Sequence, residues 1–250
     1  RYTTPGLADE LSQAGIDISP LGDWGWGKEY STRRDLLYTQ VTKHLLERHH
    51  VNLILVHLIT PDGVQRAYGP NTPPAYEAVA ESDQRLGEIW AALQSGPFAD
   101  HSAMFVVSDH GFAAYDKLIH PNVLLNELGL IETDEDGKVI DRRAWCVAQG
   151  GSAFVYLPDE ELRTNLTGTV SDRLAEIEGV ASVLRPEQFK ERGLADPDQN
   201  PQAPHLVMTT GPGYSFANNV SGELITNAGG SKASSSVERS HRLAPTVGIA

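Results

Sequence analysis

Cysteine is almost absent from this sequence. Cys146 is the only one, which excludes an intrachain disulfide framework and fits a reducing compartment without excluding export. Basic side chains are scarce as well: 20 Lys and Arg stand against 33 Asp and Glu, for a formal net charge of −13. A field of that sign repels phosphate backbones, so extended nucleic acid is excluded as a partner class, while a metal site can still hold a small phosphate locally. Long apolar runs are missing. The longest, such as "VNLILVHLIT" and "SAMFVVS", fall well short of the roughly 20 residues a membrane-spanning helix needs, and no span is expected. There is no internal repeat and no low-complexity tract beyond "SKASSS". The sequence begins at Arg1 without Met or an apolar leader and stops in the apolar run "APTVGIA". Both ends read as cut, which leaves localisation open.

What is present suits one sizeable α/β domain, or one domain plus a small insert. In "STRRDLLYTQVTKHLLERHH", Thr32 and Asp35 form a capping-box-like pair, and Leu37, Val41 and Leu45 recur at helical spacing. The run "VNLILVHLIT" predicts a strand buried on both faces. Pro73 and Pro74 suit the first turn of a helix carrying Tyr76, Val79, Leu86, Ile89, Trp90 and Leu93. "HSAMFVVSDHGF" repeats the pattern of a strand ending in an acid. This order is the βαβ rhythm of a doubly wound, mostly parallel sheet. From about residue 112 the texture changes to a short helix, a hairpin with Asp136-Gly137 at its tip, the strand "GGSAFVYLP", a polar-faced helix and the strand pair "PHLVMTTGPGYSF". The expectation is a single domain over residues 1–250 with a smaller α+β insert at about 115–205.

In open α/β sheets, ligands bind outside the carboxyl ends of the strands. Asp62 follows the first strand, and Asp109 with His110 follows the second. Adjacent side chains leaving a strand diverge, so Asp109 and His110 could serve two ions a few ångströms apart, the arrangement that clamps both oxygens of a phosphoryl transfer. The structural alternative is an Asp that caps a following helix beside a hydrogen-bonded His. His44, His49 and His50 read as solvated residues near a helix end, His57 as a satisfied core residue, and His120 as either structural or lining a cleft. His101 and His205 have no evident partners.

Taken together, "DGVQRAYGP" followed by "ESDQRLG", "SDHGF" after a strand, "GGSAFVYL" and "APHLVMTTGPGYSF" resemble the type I phosphodiesterase/nucleotide pyrophosphatase branch of the alkaline phosphatase superfamily. The resemblance covers most of the chain and implies a doubly wound sheet of the alkaline phosphatase type, incomplete at the N-terminus. It implies hydrolysis of a phosphodiester or pyrophosphate through a Thr or Ser nucleophile and two zinc-like ions. The family's nucleophile belongs to an N-terminal segment expected to be missing here, so no catalytic nucleophile is assigned.

The metal ligands carry over one at a time. Asp62 matches the first ligand of one ion, but Arg66 stands where the family has His, and Ser235 stands at the expected third position. A different C-terminal register would make His241 that third ligand. Asp109 and His110 match the Asp-His pair of the other ion. A guanidinium has no lone pair to give, so Arg66 is expected to pair with Asp62 and stand in for the ion's charge. Zinc or a similar divalent metal is therefore expected to bind weakly or not at all, and the chain to be inactive as it stands. The alternative is a non-catalytic descendant that serves as a binding or partner-interaction module. Partners implied are a small phosphoester if the chain is active, or a partner chain completing the sheet.

Overall fold

The computed structural model describes residues 3–24, 28–236 and 248–249. They form two compact units, one ending at Val107 and joined by Gly248–Ile249, the other beginning at Ser108.

The first unit is mostly helical. It contains α1 (Leu7–Gln13), α2 (Lys28–Arg48), α3 (Thr60–Tyr68), α4 (Pro73–Ser95) and a two-residue strand, β1 (Met104–Phe105). β1 pairs antiparallel with Gly248–Ile249. α2 begins four residues before Thr32, so Thr32 and Asp35 lie inside the helix rather than at its cap. Its inward side includes Ser31, Arg34, Asp35, Thr39 and Thr42, all buried along with Leu37 and gathered on one helical face. A polar stripe can be buried because its groups are satisfied locally. Thr39 and Thr42 donate to the carbonyls of Asp35 and Tyr38, each at 2.7 Å, and Arg34 donates to the carbonyl of Trp24. α4 opens on Pro73 and Pro74 as its sequence predicts. It turns Ala75, Ala78, Ser82, Ile89 and Ala92 inward, while Tyr76 and Val79 are exposed. Small side chains let α4 approach its neighbours closely.

The expected buried strand over "VNLILVHLIT" does not form. Residues 51–59 pair with no other strand among the described residues, and Leu53 and Leu55 are 73% and 86% exposed. A β-strand exists only through its neighbours' hydrogen bonds, and none is supplied among the described residues. The second expected strand shrinks to β1, with Phe105 and Val107 exposed. His57 is exposed too, not a core residue.

The second unit runs through β2 (Gly111–Ile119), α5 (Pro121–Glu127), β3 (Ile131–Thr133), β4 (Val139–Arg142), β5 (Trp145–Gln149), β6 (Ser152–Tyr156), α6 (Glu160–Ala175), β7 (Val180–Leu184), α7 (Pro186–Arg192), β8 (Leu206–Thr210), β9 (Gly213–Phe216) and β10 (Ile225–Ser236). β5-β6-β8-β7 form an antiparallel sheet, and β10-β2-β9 a second sheet in which β2 and β9 run parallel. The predicted hairpin is β3–β4. Gly137 adopts φ 76° at its tip, a left-handed conformation glycine takes without a Cβ penalty, and Asp134 Oδ1 accepts from the Lys138 amide at 2.8 Å. The core gathers Leu125, Cys146, Val155, Leu174, Leu206 and Met208 around the four-stranded sheet. Buried Asn122 pairs with both backbone groups of Cys146 at 2.8 and 2.9 Å. Among the described residues, no helix is long and apolar enough to cross a membrane.

Candidate functional site

Asp62 is not in a loop after a strand; it sits in the first turn of α3. Pro at the second helical position presets φ for the helix, and Asp35 reaches across from α2 to the new helix's amino end. Its Oδ1 and Oδ2 accept from the amides of Ile59 and Thr60 at 2.8 and 2.9 Å, two donors that a helix start leaves without partners. A cavity of about 140 Å³ lies beside this junction, with Asp35, Thr60 and Arg85 among its lining residues. α3 stops at Gly69, whose φ of 84° and ψ of 159° lie in a region essentially confined to glycine. That accounts physically for the Gly before Pro70 in the motif.

Because α3 is helical, Asp62 and Arg66 are i, i+4 neighbours on one face, with the acid on the amino-terminal side, the better orientation. Arg66 Nε lies 3.1 and 2.9 Å from the two carboxylate oxygens, and Nη2 lies 2.9 Å from Oδ1. The pair is about half exposed, 40% for Asp62 and 47% for Arg66, so it adds at most about 1 kcal/mol to stability. Its chemical meaning is larger: the carboxylate oxygens that would face a cation face a fixed positive charge instead. A metal does not fit this position as it stands.

Asp109 and His110 follow Ser108 at the start of the second unit, and no helix follows them; Gly111 opens β2. Asp109 Oδ1 accepts from the His110 amide at 3.0 Å, and Ser108 Oγ donates to the His110 carbonyl at 2.6 Å. The imidazole Nδ1 lies 3.1 Å from the Gly111 carbonyl, an oxygen that can only accept, so Nδ1 is the donating nitrogen. Nε2 is 3.7 Å from Asp109 Oδ2. A His that donates one ring N–H to a backbone carbonyl while the other nitrogen meets a carboxylate's neighbourhood is the arrangement metal-ligating histidines use. These two side chains fit two ligands of one cation. The ring also stands edge-on to Phe112, with centroids 5.2 Å apart.

In the β2–β10 ladder, Ser235 stands opposite Phe112 and Ser236 opposite Gly111. The backbone of the Ser235 position thus lies across from the residues just after His110. His241 lies outside the described residues. Asp62 belongs to the first unit, Asp109 and His110 to the second.

Four other histidines, His44, His49, His120 and His205, have partners that their sequence contexts did not reveal. His120 is buried, with Nε2 2.9 Å from Thr226 Oγ1, and burial lowers its pKa. His205 Nδ1 accepts from the Leu157 amide at 3.0 Å; burial, and then Arg163, lower its pKa. His44 and His49 are not merely solvated: both contact Glu10. Among the described residues, Glu10, His44 and His49 alone bring three ligating side chains together. Glu10 lies 34 and 39 residues from the two histidines, so no local spacing signals the set.

No curated protein matches the chain. Among solved structures it is similar to phosphonoacetate hydrolase from Sinorhizobium meliloti 1021, seen in complexes with phosphonoformate and phosphonoacetate. The two likenesses have 20% and 19% identity and TM-scores of 0.54 and 0.56, and each covers 88% of this chain and 54% of that one. It is also similar to murine ectonucleotide pyrophosphatase/phosphodiesterase 5, at 16% identity and a TM-score of 0.52, over 84% of this chain and 52% of that one. The chain therefore spans about half the length of these neighbours, and at such identities the likeness shows the fold, an α/β fold of the alkaline phosphatase type. The sequence profile of the type I phosphodiesterase/nucleotide pyrophosphatase family matches residues 11–238, and on that match the chain belongs to the type I phosphodiesterase/nucleotide pyrophosphatase family.

Proposed function

We propose that the chain derives from metal-dependent hydrolysis of a small phosphodiester or pyrophosphate, that it keeps one cation position at Asp109 and His110, and that Arg66 closes the other. Family membership over residues 11–238 supports the reaction class. The observation that carries the reading is the pair of Asp62 carboxylate oxygens held by Arg66 at 2.9–3.1 Å. A zinc-like ion supplies charge to a phosphoryl oxygen in such chemistry. Asp109 offers an exposed carboxylate, and His110 turns its Nδ1 toward the Gly111 carbonyl, so Nε2 is the ring atom a cation would use. Two protein ligands are fewer than the three that catalytic zinc sites usually present. Weak metal binding and no turnover by this chain are therefore the reading.

The rival is a non-catalytic descendant that keeps the fold as an interaction module. The same ion pair favours it, and so do the exposed apolar residues Leu53, Leu55, Phe105 and Val107. Extended polypeptide adding a strand along residues 51–59 would cover Leu53 and Leu55.

Hydrolysis of an aryl phosphodiester, measured with retained metal, separates the readings. The native chain should show no turnover. Arg66→His should raise the metal retained, and Asp62→Asn in that background should remove the gain. Turnover by the native chain that disappears in Asp62→Ala would sink the idea that Arg66 closes the position. An Arg66→His chain that gains both metal and turnover would reject the non-catalytic module.

A further inference from the structure

The convergence of three side chains in the helical unit points to a second cation site, independent of the family positions. We propose that Glu10, His44 and His49 bind one zinc ion and thereby tie α1 to the carboxyl end of α2.

His44 Nε2 and His49 Nε2 lie 2.7 and 2.8 Å from the same oxygen, Glu10 Oε1, and the three ligand atoms all lie within 4.8 Å of one another. Two imidazole nitrogens and one carboxylate form a donor set that suits zinc and disfavours magnesium or calcium, which take oxygen-rich shells. Zinc holds such ligands at about 2.0–2.2 Å, which in a tetrahedron sets neighbouring donor atoms about 3.3 Å apart, so Glu10 has to withdraw by only about half an ångström. It can do so, because its side chain is 40% exposed, as is that of His49, while His44 is held at 10% exposure. The site thus has one anchored ligand and two that adjust from the solvent side. The rings are tilted by 50° with centroids 6.2 Å apart, so they do not stack and both nitrogens can aim at one point between them and the carboxylate. Three ligands leave a fourth position for water. A glutamate carboxyl is ordinarily ionised near neutral pH, so this ligand has no proton to lose when the ion binds.

In the absence of zinc the same atoms form a hydrogen-bonded cluster, and the experiment must separate the two. The whole chain, stripped with a chelator, is titrated with zinc chloride at pH 7.5 and followed by calorimetry and thermal melting. One equivalent should bind, with a rise in Tm of about 5 °C or more at a hundredfold excess over Kd, while magnesium chloride should produce neither effect. His49→Ala and Glu10→Gln should each lose that equivalent and the zinc-dependent rise. Both change half-exposed positions, and their melts without zinc report whether they fold. Asp109→Asn should keep the equivalent, which separates this site from the family position. Zinc binding that survives in His49→Ala and Glu10→Gln, or no binding by the native chain, would overturn the proposal and leave a hydrogen-bonded cluster only.

Discussion

Replacing Asp35 by Ala should destabilise the first unit far more than a residue within a helix ordinarily would. Its two carboxylate oxygens accept from the Ile59 and Thr60 amides at 2.8 and 2.9 Å, and Ile59 and Thr60 are 8% and 2% exposed. Hydrogen bonds to a charged group each contribute about 1.5–3 kcal/mol, and a donor left buried without a partner costs about as much. Part of this loss is offset because Ala carries no buried charge to desolvate, so a net loss of about 3 kcal/mol is expected. With a urea m-value near 2 kcal/mol/M, the unfolding midpoint should fall by about 1.5 M. Asp35→Asn keeps one acceptor and turns an NH2 toward the other amide, so it should lose about half as much. Hydrogen exchange read on a peptide spanning residues 51–68 localises the effect, since the two amides should lose protection in Asp35→Ala before the rest of the chain does. A midpoint within about 0.2 M of the native value and unchanged protection at Ile59 and Thr60 would refute the account of how α3, and Asp62 with it, is anchored.

Three further outcomes are expected. Gly179 has φ +86° and a Cβ there would run into the Tyr214 ring. Gly179→Ala should therefore cost about 2–4 kcal/mol, and it should release the phenol from Lys117 and Glu178; a melt within about 1 °C of native would contradict this. Burial pushes the Cys146 thiol up to about 12, so thiolate is scarce at pH 8 and a disulfide reagent should label the chain only when urea unfolds it. Rapid labelling of the native chain would show that the second unit's core opens. Because burial lowers the pKa of His120 and His205, the unfolded chain takes up protons first as pH falls. Stability should then be unaffected by these groups above the unfolded value of about 6.5 and decline below it. Urea midpoints between pH 7.5 and 5.5 should show the decline, with a smaller slope in His120→Gln; equal slopes would rule His120 out as a cause.

Local chemistry was legible in the sequence, and pairing between distant segments was not. Asp136-Gly137 announced the β3–β4 turn and Pro73-Pro74 announced the start of α4, because in each case the backbone preference belongs to the residues themselves. The spacing of Asp62 and Arg66 suggested a pair, and the helix that makes them neighbours on one face supplied its geometry. "VNLILVHLIT" misled because an apolar run records only that burial would be favourable, whereas a ladder also needs a second strand. α2 was legible in part: Leu37 is buried as its spacing suggests, but Ser31, Arg34, Asp35, Thr39 and Thr42 are buried with it, which a hydrophobic period cannot reveal. The Asp109-His110 pair was visible as a motif, but which imidazole nitrogen carries the proton depends on the Gly111 carbonyl and emerged only from the structure. The ladder that sets Ser235 opposite Phe112 pairs segments more than a hundred residues apart, and the Glu10 set joins α1 to α2 and the residue just past it, so neither contact could be read from spacing.

The β2–β10 ladder has a consequence for the order in which the second unit is made. β2 begins at Gly111 and its antiparallel partner ends at Ser236, so during synthesis β2 emerges more than a hundred residues before β10, and that edge stays open meanwhile. The β5-β6-β8-β7 sheet lies wholly between them and can close on its own. Contacts of such long separation form late, so newborn chains arrested after β8 should hold a protease-resistant fragment from residues 145–210 while β2 remains cleavable. The residues next to Asp109 and His110 would then be the last part of this unit to settle. Cleavage of both regions at equal rates in such arrested chains would argue instead for closure in a single step.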